Sequence, residues 1–271
     1  MTRYARAHDM DSWLRDPRIA TRGFTHPWQS SVATSNGEDA FIELVEQYLR
    51  PDCDVLDLGC GHGELTLTLA KRCRTIVGIE RIASYLELAR ELTTEQNVAN
   101  AQFYEVNLAG VNDEDRVFAG IPLPDNSIDL FINRRGPLLR RYLDEAIRVA
   151  RPGALIVGLH PAGATPTWND QLPEPYQNVI AGWSFNDVTK WVTDPLLITG
   201  ITDYSLWWID VPEFLRTPHE LYVRLGGSLT TDAPEYQNIE PQLREIIKQH
   251  GTSQGIIVRH QRLLWQVKLP K

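Results

Sequence analysis

Two hydrophobic periods take turns along the chain. Phe41, Leu44, Val45, Tyr48 and Leu49 share one helical face, with Ser35 and Glu38 spaced as a capping box before them and Pro51 after them. The short apolar run CDVLDLG (53–59) reads as a buried strand. Residues 64–72 are ambiguous, because Leu65, Leu67 and Leu69 alternate with Thr66 and Thr68 as in a strand. A helix is expected there nonetheless, since a glycine turn precedes it and a second strand-like run, TIVGI (75–79), follows almost at once. Ile82, Tyr85, Leu86, Ala89 and Leu92 mark the next helix. Strands are predicted at 101–106, 127–133 and 154–159, with a helix over 137–150.

This alternation over residues 53–160 implies right-handed crossovers and a parallel sheet covered on both faces. Beyond it, residues 161–195 read as loop-rich and LLITGITDYSLWWIDV (196–211) as strand-like. Thr217, Pro218 and Glu220 cap a helix, Ile239, Leu243, Ile246 and Ile247 mark another, and 256–267 is a last strand. The helices between the last two strands read as an insertion. The expected architecture is one α/β domain over 1–271. It comprises an N-terminal segment (1–36) that lids the site, a cofactor-binding core (37–160), and substrate-side loops with the last two strands and inserted helices (161–271).

Composition narrows the function. The 271 residues carry 27 Lys plus Arg against 35 Asp plus Glu, a formal charge of −8. Such a molecule repels polyanions at long range, so a nucleic-acid partner is not expected, nor is an anionic membrane. No apolar run approaches the ~18–20 residues of a membrane span, and the N-terminus has no apolar signal core. Cys53, Cys60 and Cys73 form neither a disulfide framework nor a metal-ligand pattern, so no metal is expected. Reduced thiols point to the cytoplasm.

The segment VLDLGCGHGEL (55–65) carries the chemistry. A buried strand ends at Asp57, and Gly59, Gly61 and Gly63 follow at alternate positions before a helix. Glycines there let the backbone adopt positive φ and approach a ligand closely. A dinucleotide fingerprint would place its third glycine at position 64, where this chain has Glu64. Glu80 ends the second strand, where a carboxylate either accepts both hydroxyls of a ribose or caps the following helix. Asp57 either faces the ligand or ties the loop backbone together.

VLDLGCGHG with VGIE resembles the S-adenosylmethionine site of class I methyltransferases. The resemblance covers residues 38–160. It implies a Rossmann-like, seven-stranded, mostly parallel sheet with a reversed C-terminal hairpin, S-adenosylmethionine as cofactor, and an enzyme that transfers its methyl group. It places Asp57, Gly59, Cys60, Gly61, Gly63, Glu80, Arg81 and Asn133 at the cofactor. Asn107 stands where the family commonly has an Asp facing the adenine amino group, with Leu108 beside the ring. IPLPDNSIDLFINRRGPL (121–138) resembles the family's stretch leading into strand 4, where Asp129 orients the loop.

Acceptor residues are sought at the carboxyl ends of strands 4 and 5. Arg134 and Arg135 either bind a substrate anion or serve as surface charges. Arg140, Arg141, Arg148 and Arg151 read as helix surface charges balanced by Asp144 and Glu145. His160 either accepts a proton from the acceptor or makes an ordinary structural hydrogen bond; His62 is a further candidate. Trp168, Trp183, Trp191, Trp207 and Trp208, with Trp13, Phe24 and Trp28, either wall an apolar acceptor pocket or pack the core, where Trp265 belongs. The expected acceptor is a small anionic or aromatic molecule. The alternatives are an RNA or protein methyltransferase, or a non-catalytic cofactor-binding partner subunit.

Overall fold

In the computed structural model, which describes residues 37–108, 120–163, 165–177, 184–225 and 234–270, five consecutive buried residues, Asp54–Leu58, make β1. A strand buried on both sides belongs at the centre of a covered parallel sheet. Around it lie α1 (Glu38–Tyr48), α2 (Glu64–Ala70), β2 (Thr75–Glu80), α3 (Ala83–Glu95) and β3 (Ala101–Glu105). The chain continues with β4 (Ile128–Arg134), α4 (Leu143–Val149), β5 (Ala150–Gly163), α5 (Phe185–Thr199) and β6 (Tyr204–Leu215). It closes with α6 (Pro218–Arg224), α7 (Tyr236–His250) and β7 (Ile256–Lys268). The strands form one seven-stranded sheet in the order β3-β2-β1-β4-β5-β7-β6. β1, β2, β3, β4 and β5 are parallel, and β6 and β7 form the antiparallel C-terminal hairpin. The expected sheet is thus the observed one.

Residues 37–160, 186–209 and 263–271 make one compact unit. Its larger core joins Phe41 and Val45 of α1 to Val55, Leu130, Ile132 and Val157 of the central strands. A smaller core gathers Cys60, Leu67, Leu86, Ala89 and Phe103. Trp265, fully buried, lies over Gly158 of β5, where a Cβ would stand 2.1 Å from the indole.

Charged side chains fix the ends of the strands. Asp129 accepts from the Asp54 backbone N–H at 2.8 Å and from Arg151 at 2.5 Å. Arg151 also reaches Asp54, as does Arg74. These guanidinium groups hold the Asp54 carboxyl below the usual carboxylate range. Arg148 donates to the carbonyls of Ile121 and Leu123 and pairs with Glu145 and Asp125. Of the four arginines expected as surface charges, Arg148 and Arg151 therefore pin the entry to β4, while Arg140 and Arg141 are exposed.

Residues 161–185 and 210–262 contribute to the second unit. Its core includes Trp168, Tyr176, Leu221, Leu243, Ile256 and Val258. α6 starts as the sequence predicts. The Thr217 hydroxyl accepts from Glu220 N–H at 3.1 Å, and the Glu220 carboxylate accepts from Arg216 N–H at 2.7 Å. Inside this unit the Glu213 carboxylate meets His260 at 2.6 Å and Arg224 at 2.8 Å.

Three boundaries differ from the sequence reading. α5 occupies residues expected as loop and as the start of a strand. Val188, Val192, Pro195 and Leu196 repeat on its buried face, and that packing outweighs the apolar run at its end. β5 runs to Gly163, so His160 sits within the strand and not in a loop after it. α1 follows Gly37 in the left-handed region, while the expected cap Ser35 lies outside the described residues, as do the rest of 1–36 and Trp183. Among the described residues no helix is long and apolar enough to cross a membrane.

Candidate functional site

The turn after β1 is built by three glycines with φ of 77° (Gly59), 56° (Gly61) and 79° (Gly63), the left-handed region where side chains are strained. Two of them are also closely packed. A Cβ on Gly59 would lie 3.2 Å from Gly136 Cα and Pro137 Cδ, and one on Gly63 would lie 2.8 Å from the Phe103 ring. Gly61 is different, since nothing lies within 4 Å of its Cβ position. The middle of the loop therefore presents bare backbone to open space, at the carboxyl edge of the central strand.

Glu80 organises this loop. One of its carboxylate oxygens accepts from Gly61 N–H at 3.1 Å, and the other accepts from Arg81 N–H at 2.8 Å and Ile82 N–H at 3.2 Å. Gly59 N–H and Cys60 N–H donate to the Ile79 carbonyl at 2.9 and 3.0 Å. Loop and strand end are thus one hydrogen-bonded assembly. The sequence motif pairs its two halves by spacing alone; the structure brings them into direct contact.

Asp57 is 3% exposed and accepts from the Thr66 hydroxyl at 2.6 Å. Burial pushes its pKa up to about 6, against the opposing effects of the Thr66 hydrogen bond and of Arg134. A carboxyl whose pKa rises on folding carries a penalty above the folded value, and the penalty is relieved as pH falls through it. Asp57→Asn is therefore expected to stabilise the free protein at about pH 8 by up to ~3 kcal/mol, with the advantage fading toward pH ~4. Urea unfolding of both proteins at the two pH values checks this, and a pH-independent difference would refute it.

Cys60 lends the loop its backbone, while its thiol is buried and its pKa is raised by burial. Burial also raises the Cys53 thiol and pushes Cys73 up to about 11. His62 lies edge-on to Tyr85, and burial lowers its pKa. After β3, Asn107 is exposed and Leu108 is buried.

At the end of β4 the sequence candidates have partners. Asn133 is fully buried. Its amide donates to the Pro137 carbonyl at 2.8 Å and the Tyr142 hydroxyl at 2.6 Å, and its oxygen accepts from Gly136 N–H at 2.9 Å. These bonds fold the turn that packs against Gly59. Arg135, at φ 59°, pairs with Glu38, and Arg134 approaches the same carboxylate at 3.6 Å. Glu38, Thr66 and Tyr142 are partners missed from sequence; Thr66 and Tyr142 lie nine residues from Asp57 and Asn133, whereas Glu38 lies 97 residues before Arg135.

His160 is 2% exposed, stacked on Trp265 at 5.6 Å and edge-on to Trp191 at 6.3 Å between ring centroids. Burial pushes its pKa down to about 4, so at neutral pH the ring is uncharged and only weakly basic. Trp265 and Trp168 are core residues, whereas Trp207 and Trp208 are exposed.

A family model described as a methyltransferase domain matches residues 49–182. The YcgJ protein from Bacillus subtilis superposes with a TM-score of 0.57 at 14% identity, covering 86% of this chain and 99% of that one. Geranyl diphosphate C-methyltransferase from Streptomyces coelicolor gives 0.50 at 16%, covering 85% and 76%. The chain has the class I S-adenosylmethionine-dependent methyltransferase fold. Residues 49–182 thus resemble a methyltransferase domain, and the sheet around them has that fold. Among curated proteins, the 23S rRNA (uracil(1939)-C(5))-methyltransferase RlmD of Vibrio parahaemolyticus is 41% identical over 69 residues, 25% of this chain and 16% of that enzyme. The match thus spans about a sixth of that relative's length. Enzymes of the same name from other bacteria match as well. These relatives overturn the expectation against a nucleic-acid partner: net charge reports the average field, and an acidic protein still offers cations locally.

The donor set suits the cofactor. Gly61 leaves the backbone open where a side chain would fill the space, and the Glu80 carboxylate has accepting capacity beyond the three N–H groups it holds.

Proposed function

We propose that this chain is an S-adenosylmethionine-dependent methyltransferase that acts on RNA. The observation that carries the reading is the 41% identity over 69 residues to a 23S rRNA methyltransferase. A local feature supports it. Arg140 and Arg141 are exposed in the short helical turn after β4, close in sequence to half-buried Arg134. That is a cationic rim at the carboxyl edge of the sheet in an otherwise acidic chain.

In this reading Asp57, Gly59, Cys60, Gly61, Gly63, Glu80, Arg81, Asn107 and Leu108 line the cofactor, and Asn133 shapes the neighbouring turn. S-adenosylmethionine, when bound, supplies an electrophilic methyl on a positively charged sulfur. The protein's task is alignment of the acceptor and exclusion of water. Arg140 and Arg141 contact phosphates, while Arg134 and Arg135 hold the rim in place through Glu38. His160, neutral within β5 and stacked on Trp265, does not need to carry a proton. The reading places the chain in the cytoplasm, where its cysteines stay reduced.

The test uses ribosomal RNA and labelled cofactor. Transfer of label to RNA is expected, with binding that weakens steeply as salt rises. The double variant Arg140→Glu, Arg141→Glu is expected to lose about tenfold or more in RNA affinity while cofactor affinity is unchanged. Label passing only to small metabolites would refute the reading and favour the small-acceptor alternative, with which the charge of −8 agrees.

A further inference from the structure

The arginines around β4 are held in two different ways. Arg148 and Arg151 donate to carboxylates at 2.6 and 2.5 Å, and Arg135 is closely paired with Glu38. The Arg134 guanidinium makes no hydrogen bond among the described residues; the carboxylate it approaches, that of Glu38, is 3.6 Å away. A charge-assisted bond of this kind spans about 2.7–2.9 Å, so the pair is loose. Yet the Arg134 side chain is only 35% exposed. A cation partly withdrawn from water without close partners retains its demand for an anion.

Its place in the fold says which anion. Arg134 is the last residue of β4, at the carboxyl edge where ligands of such sheets bind. Its positive charge opposes the rise of the Asp57 pKa and adds to the fall of the His62 pKa, so it lies within electrostatic reach of the glycine loop. The exposed Arg140 and Arg141 follow shortly in the chain.

We propose that Arg134 is a phosphate-binding residue of the acceptor site, which Glu38 restrains in the free protein and yields when the phosphate arrives. The inference rests on the RNA reading, in which the ligand is a backbone phosphate of the acceptor strand. Glu38 divides its two oxygens between Arg135 and Arg134, much as a phosphate divides its oxygens among guanidinium forks. Arg135 keeps the carboxylate, because its pair is closer and its own N–H is tied to the Leu159 carbonyl at 2.8 Å. The contact to Arg134 is the one that exchanges, since a loose and partly exposed ion pair contributes little. Arg140 and Arg141 then attract the strand, and Arg134 fixes one phosphate beside the cofactor loop.

Fluorescence titration of the full chain with a single-stranded ribosomal RNA fragment, over a range of salt, tests the proposal; inorganic pyrophosphate is the second probe. Arg134→Gln is expected to lose about fivefold to tenfold in RNA affinity and to flatten the salt slope by about 0.7, the share of one phosphate contact on a single strand. Arg134→Lys keeps the slope and loses only the contribution of the fork. Glu38→Gln is expected to act in the opposite direction, binding RNA about threefold more tightly once the competing carboxylate is gone. Opposite signs are the signature, because a merely structural pair would weaken the site whichever partner was removed. An Arg134→Gln protein with wild-type RNA affinity and slope would overturn the proposal and leave the RNA reading intact. So would one that loses S-adenosylhomocysteine instead of RNA, or a Glu38→Gln protein that binds RNA more weakly. A wild type that ignores RNA but binds pyrophosphate through Arg134 would uphold the phosphate site and refute the RNA reading, whereas binding of neither would end both.

Discussion

Replacing Glu80 with alanine is expected to lower the affinity for S-adenosylmethionine by about tenfold to hundredfold, ~1.5–3 kcal/mol, the scale of hydrogen bonds to a charged group. The carboxylate holds three backbone N–H groups, and one of these belongs to Gly61 at the open middle of the loop. Its removal would release the loop from the strand end and also take away the acceptor proposed for the ribose. Glu80→Gln keeps one acceptor oxygen and is expected to fall between wild type and alanine. Calorimetric titration of the three proteins decides the point: equal affinities would mean that the carboxylate neither shapes the loop nor touches the cofactor.

Gly136→Ala is expected to destabilise the fold by about 3 kcal/mol, at the upper end of overpacking costs. A Cβ at this position would lie 2.2 Å from the Leu58 carbonyl oxygen and 2.6 Å from Asn133 Oδ1, closer than any real contact. Neither atom can yield cheaply. Leu58 is fully buried at the end of β1, and Asn133 is held by Pro137, Tyr142 and Gly136 itself. Gly200→Ala is the control, because its Cβ would meet nothing within 4 Å and only its φ of 72° opposes the substitution. That costs about 1 kcal/mol. Urea denaturation of both variants separates steric from conformational cost, and similar losses would refute the steric argument.

The central sheet was legible because each strand is a short buried run and each crossover helix carries a stripe. Even 64–72, with its alternating leucines and threonines, resolved correctly once the glycine turn and the next strand were considered together. α5 was missed for a local reason. Pro195 and the run Leu196-Leu197-Ile198 suggest a break followed by a strand, whereas the signal that matters is the repeat of Val188, Val192 and Leu196 on one face. The glycine loop was legible because positive φ and close packing require that residue. The partners of Arg134 and Arg135 were not, because Glu38 lies almost a hundred residues earlier in the chain. Charge sums misled in another way: they describe the far field and are silent about where individual arginines emerge.

The three cysteines have a consequence for handling and for life in the cell. Cys53, Cys60 and Cys73 are all nine-tenths buried or more, and burial raises the pKa of each. Oxidants and alkylating reagents consume thiolate that they can reach. The folded molecule offers them almost no thiolate, so a peroxide burst would leave these thiols intact, and their damage would track the fraction of time the surrounding structure spends open.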